Sequence, residues 1–166
     1  MSSSEKNLSS FDQATIPNAV KMRIGIVVSE WNNKVTEKLF EGAYETLVAS
    51  GCKKGNIIRK NVPGSFELPT GAMFFAEYDD VDAVICLGCV IQGETRHFEF
   101  ICHAVADGLV HLSVKFGMPF IFGVLTTDNM EQAIERSGGK LGNKGIEAAV
   151  TAIKMVALQQ DFEDRK

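Results

Sequence analysis

The chain has 166 residues and a formal net charge of −4, and 45% of its residues are hydrophobic. This length favours a single domain, and the composition is typical of a soluble globular protein. The negative charge and the absence of a basic-aromatic face disfavour a nucleic-acid partner, while no apolar stretch approaches the roughly 20 residues of a membrane span.

Residues 1–22 are polar and have no helical period. They predict an N-terminal tail that is either disordered or held by a neighbouring subunit. The tail lacks the charged-then-apolar order of a signal peptide, so we expect a cytoplasmic protein. A single domain over residues 23–160 and a C-terminal tail over residues 161–166 complete the predicted organisation.

Apolar runs alternate with helical patterns throughout this domain. The runs predict four strands, at residues 23–29, 56–62, 81–88 and 118–125. Apolar periodicity predicts helices that end near residues 50, 78 and 116, a short helix at 129–137, a glycine-rich turn at 137–145 and a last helix at about 146–157. This alternation predicts an α/β sandwich of three layers, in which helices cover both faces of a four-stranded parallel sheet. The third strand is the most apolar and should be central.

The segment GCVIQGETRH at residues 88–97 is the strongest functional signal. It follows the third strand and precedes a helix, and ligands bind at the carboxyl ends of strands in open α/β sheets. Its two glycines let the backbone approach a bound group. The helix N-terminus favours an anion, and an imidazole beside an anion is a candidate general acid or base. We therefore predict a ligand site that includes Glu94, Thr95 and His97.

Other side chains fall at the same edge of the predicted sheet. Trp31 and Asn32 follow the first strand, and Phe66 and Glu67 follow the second. The two aromatic rings either pack in the core or stack on a planar heterocycle. Glu67 can accept hydrogen bonds from hydroxyls or ring N–H groups. Phe122 lies within the fourth strand and fits a core position better.

Three further patterns leave alternatives open. Arg136 at the end of the short helix is either a solvated charge or a clamp for phosphate or carboxylate. Residues 86–89 form a C-x-x-C motif, but Cys86 lies in an apolar strand, which favours an inert buried thiol. The histidines are six and eight positions apart and diverge around a helix, which disfavours a metal site: His97, His103 and His111.

Four segments resemble the lumazine synthase family: SEWN (29–32), VPGSFELP (62–69), LGCVIQGETRHFEF (87–100) and IFGVLTTDNMEQAIERSGGKLGNKG (121–145). They agree with the family in order and spacing, and the resemblance covers about residues 22–160. It implies a flavodoxin-like fold and a reaction that joins 5-amino-6-(D-ribitylamino)uracil to 3,4-dihydroxy-2-butanone 4-phosphate. The implied products are 6,7-dimethyl-8-ribityllumazine, phosphate and water, in the penultimate step of riboflavin biosynthesis, with no metal or organic cofactor.

The resemblance also implies a site between adjacent subunits of a pentamer. His97 would transfer protons, Trp31 would stack on the pyrimidine, and Asn32 and Glu67 would bind its ribityl and polar groups. Backbone lining the same pocket is implied for Ser65, Phe66, Glu67, Cys89, Val90 and Ile91. The phosphate would meet the N–H groups of Glu94 and Thr95, with Arg136 and Phe122 from the neighbouring subunit and with Lys144 and Glu147 nearby.

Two features bear on the phosphate site and on assembly. Glu94 stands where the family more often has Ala or Asp, so we expect its carboxylate to point away from the phosphate. Trp31 replaces the commoner Phe. The short turn at 137–145 resembles that of members that close sixty subunits into an icosahedral shell, so we expect a shell, with the N-terminal tail beside a neighbour's sheet edge. Whether riboflavin synthase is a partner inside it stays open.

Three classes of function therefore stay in view. The first is the condensing enzyme. The second is a protein that binds riboflavin analogues without the chemistry, which would need Trp31 and Glu67 but neither His97 nor Arg136. The third is a dithiol oxidoreductase that uses the C-x-x-C motif, which would require accessible and reactive thiols.

Overall fold

Four strands alternate with helices in the computed structural model, which describes residues 11–165. The strands are β1 (Ile24–Ser29), β2 (Ile57–Val62), β3 (Ala83–Ile91) and β4 (Phe120–Thr127). The helices are α1 (Asn33–Ala49), α2 (Leu68–Tyr78), α3 (His97–Phe116), α4 (Met130–Glu135) and α5 (Lys144–Glu163). A short antiparallel hairpin joins α4 to α5 and consists of β5 (Ser137–Gly139) and β6 (Gly142–Asn143). None of the helices in the described residues is long and apolar enough to cross a membrane.

The main sheet is entirely parallel and has the strand order β2-β1-β3-β4. Successive side chains of β3 pack on opposite faces: Ile85 and Leu87 join the core formed with α1 and α5, whereas Val84 and Cys86 join the core formed with α2 and α3. The sheet thus lies between two helix layers, and the predicted three-layer α/β sandwich is confirmed. The strand order is that of the first four strands of the flavodoxin-like fold, and β3 is a central strand as predicted.

Two strands extend further toward their carboxyl ends than the apolar pattern predicts. The pattern ends β3 at residue 88 and β4 at residue 125, whereas the two strands stay paired as far as Ile91 and Thr127. Backbone pairing depends on a partner strand that is distant in sequence, so a local pattern does not show where it stops. Gly88 therefore lies inside a strand rather than at the start of a loop, and the loop before α3 is short.

The segment predicted as a glycine-rich turn forms the β5–β6 hairpin and the first residues of α5. Gly138 and Gly142 have φ angles of 125° and 81°, a region that glycine adopts with little steric cost. Ser137 pairs with Asn143 across the hairpin. The glycines therefore allow a short hairpin with a register shift to connect α4 to α5.

Both ends of the predicted domain continue into packed structure. Ala19 and Met22, within the predicted N-terminal tail, are fully or almost fully buried in the core on the α1 side. At the other end, α5 continues to Glu163, three residues beyond the predicted domain end. Residues 1–10 lie outside the described part of the chain, so contact of the tail with a neighbouring subunit stays a prediction.

Candidate active site

The first candidate site is a cleft at the carboxyl edge of β1 and β3, here named the Trp31 cleft. These adjacent strands lead to β2 on one side and to β4 on the other, so they form the switch point at which ligands bind in doubly wound sheets. The cleft has a volume of about 730 Å³, which is ordinary for a small-molecule site. It is lined by Trp31, Asn32, Gly64, Ser65, Phe66, Glu67, Cys89, Val90, Ile91, His97, Phe100 and Ile101.

The two aromatic side chains that follow β1 and β2 belong to the wall of this cleft. Trp31 is 73% exposed and Phe66 is 56% exposed, so the core alternative is wrong for both. The backbone N–H of Trp31 donates to the carbonyl of Pro63 at 3.2 Å, which ties the loop after β1 to the loop after β2. Each ring therefore presents an open face on which a planar heterocycle can stack.

Asn32 connects the ends of β1 and β3. Its Nδ2 donates to the carbonyl oxygen of Cys89 at 2.9 Å. Its backbone has φ 60° and ψ 42°, and it is the one non-glycine residue with positive φ in the described part of the chain. Asparagine tolerates this left-handed conformation better than most residues. The amide thus holds the backbone of the cleft wall, and its oxygen can accept a hydrogen bond from a ligand.

Ser65 and Gly88 shape the floor of the cleft. A Cβ on Gly88 would lie 2.7 Å from Ser65 Oγ and 2.8 Å from Leu68 Cδ1, so the absence of a side chain lets the turn after β2 approach β3. Ser65 Oγ is buried and has no hydrogen-bond partner in the structure. Glu67 ends the same turn and is partly exposed in the cleft. Gly88 therefore lets the turn after β2 pack against β3, and it does not belong to the cleft lining, whereas the sequence suggested that its backbone would approach a ligand.

His97 is the first residue of α3, and it is exposed at the cleft wall. Its backbone N–H donates to Thr95 Oγ1 at 3.4 Å, and Gln92 Nε2 donates to the carbonyl of Gly93 at 2.7 Å. Local hydrogen bonds thus hold the loop that precedes the helix. Glu94 and Thr95 lie exposed in this loop and outside the cleft lining. The positive end of the α3 dipole makes the region beside His97 favourable for an anion.

Three lining residues of the Trp31 cleft were not indicated by the sequence. Phe100 and Ile101 lie three and four positions after His97, so they share its side of α3. Phe100 is 68% exposed and extends the aromatic wall. Gly64 is the third. The helical spacing from His97 was the available signal for the first two, and Ile101 also packs against the core on the α2–α3 side of the sheet.

A second cleft of about 300 Å³ lies between β4, the hairpin and α5, and we name it the Arg136 cleft. It is lined by Phe122, Val124, Leu125, Thr126, Arg136, Leu141, Lys144 and Glu147. Phe122 is 39% exposed, so its interpretation as a core residue is wrong. Within one chain, the predicted phosphate-binding side chains therefore meet each other but do not line the cleft that contains His97. Thr126 and Leu141 are lining residues that the sequence did not indicate.

The Arg136 cleft combines two cations with one carboxylate. Arg136 Nη1 donates to the carbonyl of Gln132 at 3.1 Å, which uses one of the five donors of a guanidinium and orients the group. Lys144 Nζ lies 2.9 Å from Glu147 Oε2, and this pair is largely buried. A guanidinium with further donors beside an ammonium group is suited to bind phosphate.

The cysteines do not form a reactive pair. Cys86 and Cys89 lie three positions apart on β3, so their side chains pack on opposite faces of the sheet. Burial raises the pKa of Cys89 to about 11 and raises the pKa of Cys86 further. This geometry and the scarcity of thiolate argue against the oxidoreductase alternative. Among residues 11–165, no three His, Cys, Asp or Glu side chains are grouped so that they could hold a metal ion.

A flavodoxin-like sheet with an aromatic cleft at its switch point and a histidine at a helix start defines an α/β protein whose cleft is suited to a small planar ligand. Residues 21–160 match the family model of 6,7-dimethyl-8-ribityllumazine synthase. The chain is 62% identical over 157 residues to the 6,7-dimethyl-8-ribityllumazine synthase of Cytophaga hutchinsonii, across 95% of this chain and 98% of that protein.

Two further proteins of the same name give a similar result. Identity is 54% over 156 residues with the protein of Parabacteroides distasonis, across 94% of this chain and 98% of that protein. Identity is 50% over 160 residues with the protein of Porphyromonas gingivalis, across 96% of this chain and 99% of that protein. The chain therefore belongs to the 6,7-dimethyl-8-ribityllumazine synthase family, and the resemblance found in the sequence is confirmed.

Proposed function

We propose that the protein is a transferase that condenses 5-amino-6-(D-ribitylamino)uracil with 3,4-dihydroxy-2-butanone 4-phosphate. The products are 6,7-dimethyl-8-ribityllumazine, phosphate and water, and the reaction is the penultimate step of riboflavin biosynthesis. The observation that carries this proposal is the Trp31 cleft. In a member of this family, it combines exposed aromatic rings, a carboxylate and a histidine at the switch point of the sheet.

The Trp31 cleft would bind the pyrimidine. Trp31 provides a face for ring stacking, while Asn32 Oδ1 and the Glu67 carboxylate accept hydrogen bonds from the ribityl hydroxyls and ring N–H groups. Condensation of an amine with a carbonyl requires protons to be added and removed in turn. His97 at the cleft wall can serve in both directions as general acid and base.

The phosphate-bearing substrate needs cations, and the described lining of the Trp31 cleft contains neither Lys nor Arg. We infer that the Arg136 cleft of an adjacent subunit closes against the Trp31 cleft, so that Arg136, Lys144 and Phe122 complete the site. The backbone N–H groups of Glu94 and Thr95 would meet the phosphate from the His97 side. Stabilisation of the departing phosphate and positioning of the two substrates would then supply most of the rate enhancement.

This arrangement requires an oligomer, and we propose a pentamer. The short β5–β6 hairpin is the feature that favours further closure of twelve pentamers into a sixty-subunit icosahedral shell, with room for riboflavin synthase as an enclosed partner. The cytoplasm stays our prediction for its location. Light scattering on the purified protein should give a mass near five or sixty times that of one chain. A monomer that turns over both substrates would reject the shared site.

The reaction itself is tested by an absorbance time course with both substrates, compared with the same mixture without enzyme. Appearance of the lumazine product above the uncatalysed rate is expected. If the protein binds the pyrimidine but leaves the rate at that of the blank, it is a binding protein for riboflavin analogues and the proposal is wrong.

A further inference from the structure

Asn143 is the last residue of the hairpin and immediately precedes α5, and it is almost fully buried where the hairpin, α1 and α5 meet. Its Nδ2 donates to the carbonyl of Lys38 in α1 at 2.9 Å and to that of Ser137 in β5 at 3.3 Å. Its Oδ1 accepts a hydrogen bond from the N–H of Gly145 in α5 at 2.8 Å. One carboxamide therefore links three elements.

The surrounding backbone leaves little freedom for this carboxamide. A Cβ on Gly42 of α1 would lie only 2.6 Å from Asn143 Nδ2, and a Cβ on Gly145 would lie 1.8 Å from the carbonyl oxygen of Leu39. Helix α1 thus meets the hairpin and the start of α5 at backbone distance. Because the contact is this close, a change in the carboxamide must move the hairpin relative to α1.

The hairpin in turn decides where the cations of the Arg136 cleft lie. Arg136 immediately precedes β5 and Lys144 immediately follows β6, and the Lys144 N–H donates to the Arg136 carbonyl at 2.9 Å. With strands of three and two residues, the hairpin is too short to be stable by itself. Its position must therefore come from tertiary contacts, and the bond from Asn143 to Lys38 spans 105 positions of sequence.

We propose that Asn143 is a positioning residue for the phosphate-bearing substrate. Its carboxamide holds the hairpin against α1 and thereby sets the positions of Arg136 and Lys144. This inference rests on the proposed function, in which these two cations bind the phosphate group. It predicts a selective effect, because the hydrogen-bond partners of the Asn143 side chain in the described structure all lie outside the Trp31 cleft.

The test uses Asn143→Asp in the full-length protein. The carboxylate can still accept the hydrogen bond that caps α5, but it cannot donate to the carbonyls of Lys38 and Ser137. We expect the KM for 3,4-dihydroxy-2-butanone 4-phosphate and the inhibition constant of inorganic phosphate to rise about tenfold or more, since small displacements of binding groups are costly. The KM for the pyrimidine substrate should stay at the wild-type value.

A second variant perturbs the same contact from the other side. Gly42→Ala changes no polar group, but its new methyl displaces the carboxamide, so the same selective rise is expected. Asn56→Ala is the matched control, because Asn56 Nδ2 also donates to a backbone carbonyl, that of Met22 at 3.2 Å, at the amino end of the sheet. Its two KM values should not change.

The outcomes separate this inference from the proposed function. The positioning role is overturned if both KM values rise in parallel, or if the KM for the phosphate substrate is unchanged in a folded variant. In either case, turnover by the wild-type protein still supports the proposed function. Should Asn143→Asp fail to fold, Gly42→Ala decides. A wild-type protein without turnover rejects the proposed function instead, and the affinity for inorganic phosphate in wild type and Gly42→Ala then still tests the role of Asn143.

Discussion

The Trp31 cleft and the Arg136 cleft divide the chemistry between two parts of one chain. The first is the larger, and its wall combines exposed aromatic rings with a carboxylate and His97. The second is smaller and contains Arg136 beside the Lys144–Glu147 pair. One suits a planar ring and proton transfer, and the other suits an anion. Under the proposed function, neither cleft would be a complete site for both substrates, and we propose that activity depends on bringing a cleft of each kind together.

The largest effect is expected in the Arg136 cleft. Arg136→Ala should abolish detectable turnover, a loss of about 10³-fold or more, because the leaving phosphate loses its guanidinium partner. Steady-state kinetics with the phosphate substrate varied would measure it. Arg165→Ala is the control, since Arg165 forms an exposed ion pair with Asp161 at the end of the chain. Normal saturation of Arg136→Ala by the phosphate substrate would contradict the role of this cleft.

The next effect belongs to proton transfer in the Trp31 cleft. His97→Ala should lower kcat by about 10²-fold or less, because a lost general acid or base is partly replaced by water. His111→Ala is the control, since His111 is exposed on the same helix about 20 Å further along. Unchanged turnover in His97→Ala would remove His97 from the mechanism.

A smaller effect should distinguish the substrates of the two clefts. Trp31→Ala should raise the KM for the pyrimidine by about tenfold, the equivalent of about 1.4 kcal/mol of lost stacking and contact. The KM for the phosphate substrate should stay unchanged, and Trp31→Phe should restore most of the affinity. If Trp31→Ala raised only the KM for the phosphate substrate, the assignment of the two clefts would be reversed.

The smallest effect concerns the reactivity of the Cys89 thiol, which lines the Trp31 cleft. Because burial raises the pKa of Cys89 to about 11, almost no thiolate exists at pH 7, and the rate of reaction with a thiol reagent should increase as pH rises toward that value. Cys102 is the partly exposed cysteine among the four and should react first in the native protein. Rapid reaction of both Cys86 and Cys89 near pH 7 would instead support the oxidoreductase alternative.

Much of the fold could be predicted because the sequence patterns that indicate it are local. An apolar β-branched run such as residues 23–29 identifies a strand whatever surrounds it, and helical stripes end at glycines such as Gly51 and Gly117. The carboxyl ends of β3 and β4 could not be predicted in this way. Their last residues belong to the strands because β3 and β4 continue to pair with each other, and the sequence of neither segment indicates that pairing.

The candidate site divides in the same way. Residues that follow strands, such as Trp31 and Glu67, could be assigned to the ligand edge because parallel strands all end at one edge. Phe122 could be assigned only through the family resemblance, because its position inside β4 gives no sign that its side chain faces an open cleft. Phe100 could not be assigned to the cleft, because the sequence does not distinguish an exposed aromatic residue on a helix from a buried one.

The sequence by itself determined the class of fold, the ligand edge and the family, since periodicity, strand ends and motif spacing are properties of short segments. Only the tertiary structure decided that the candidate residues fall into two clefts, that β3 extends past Cys89, and that Asn143 joins the hairpin to α1. The physical reason is that such features depend on contacts between distant segments. The bond from Asn143 to Lys38, 105 positions away, is one such contact.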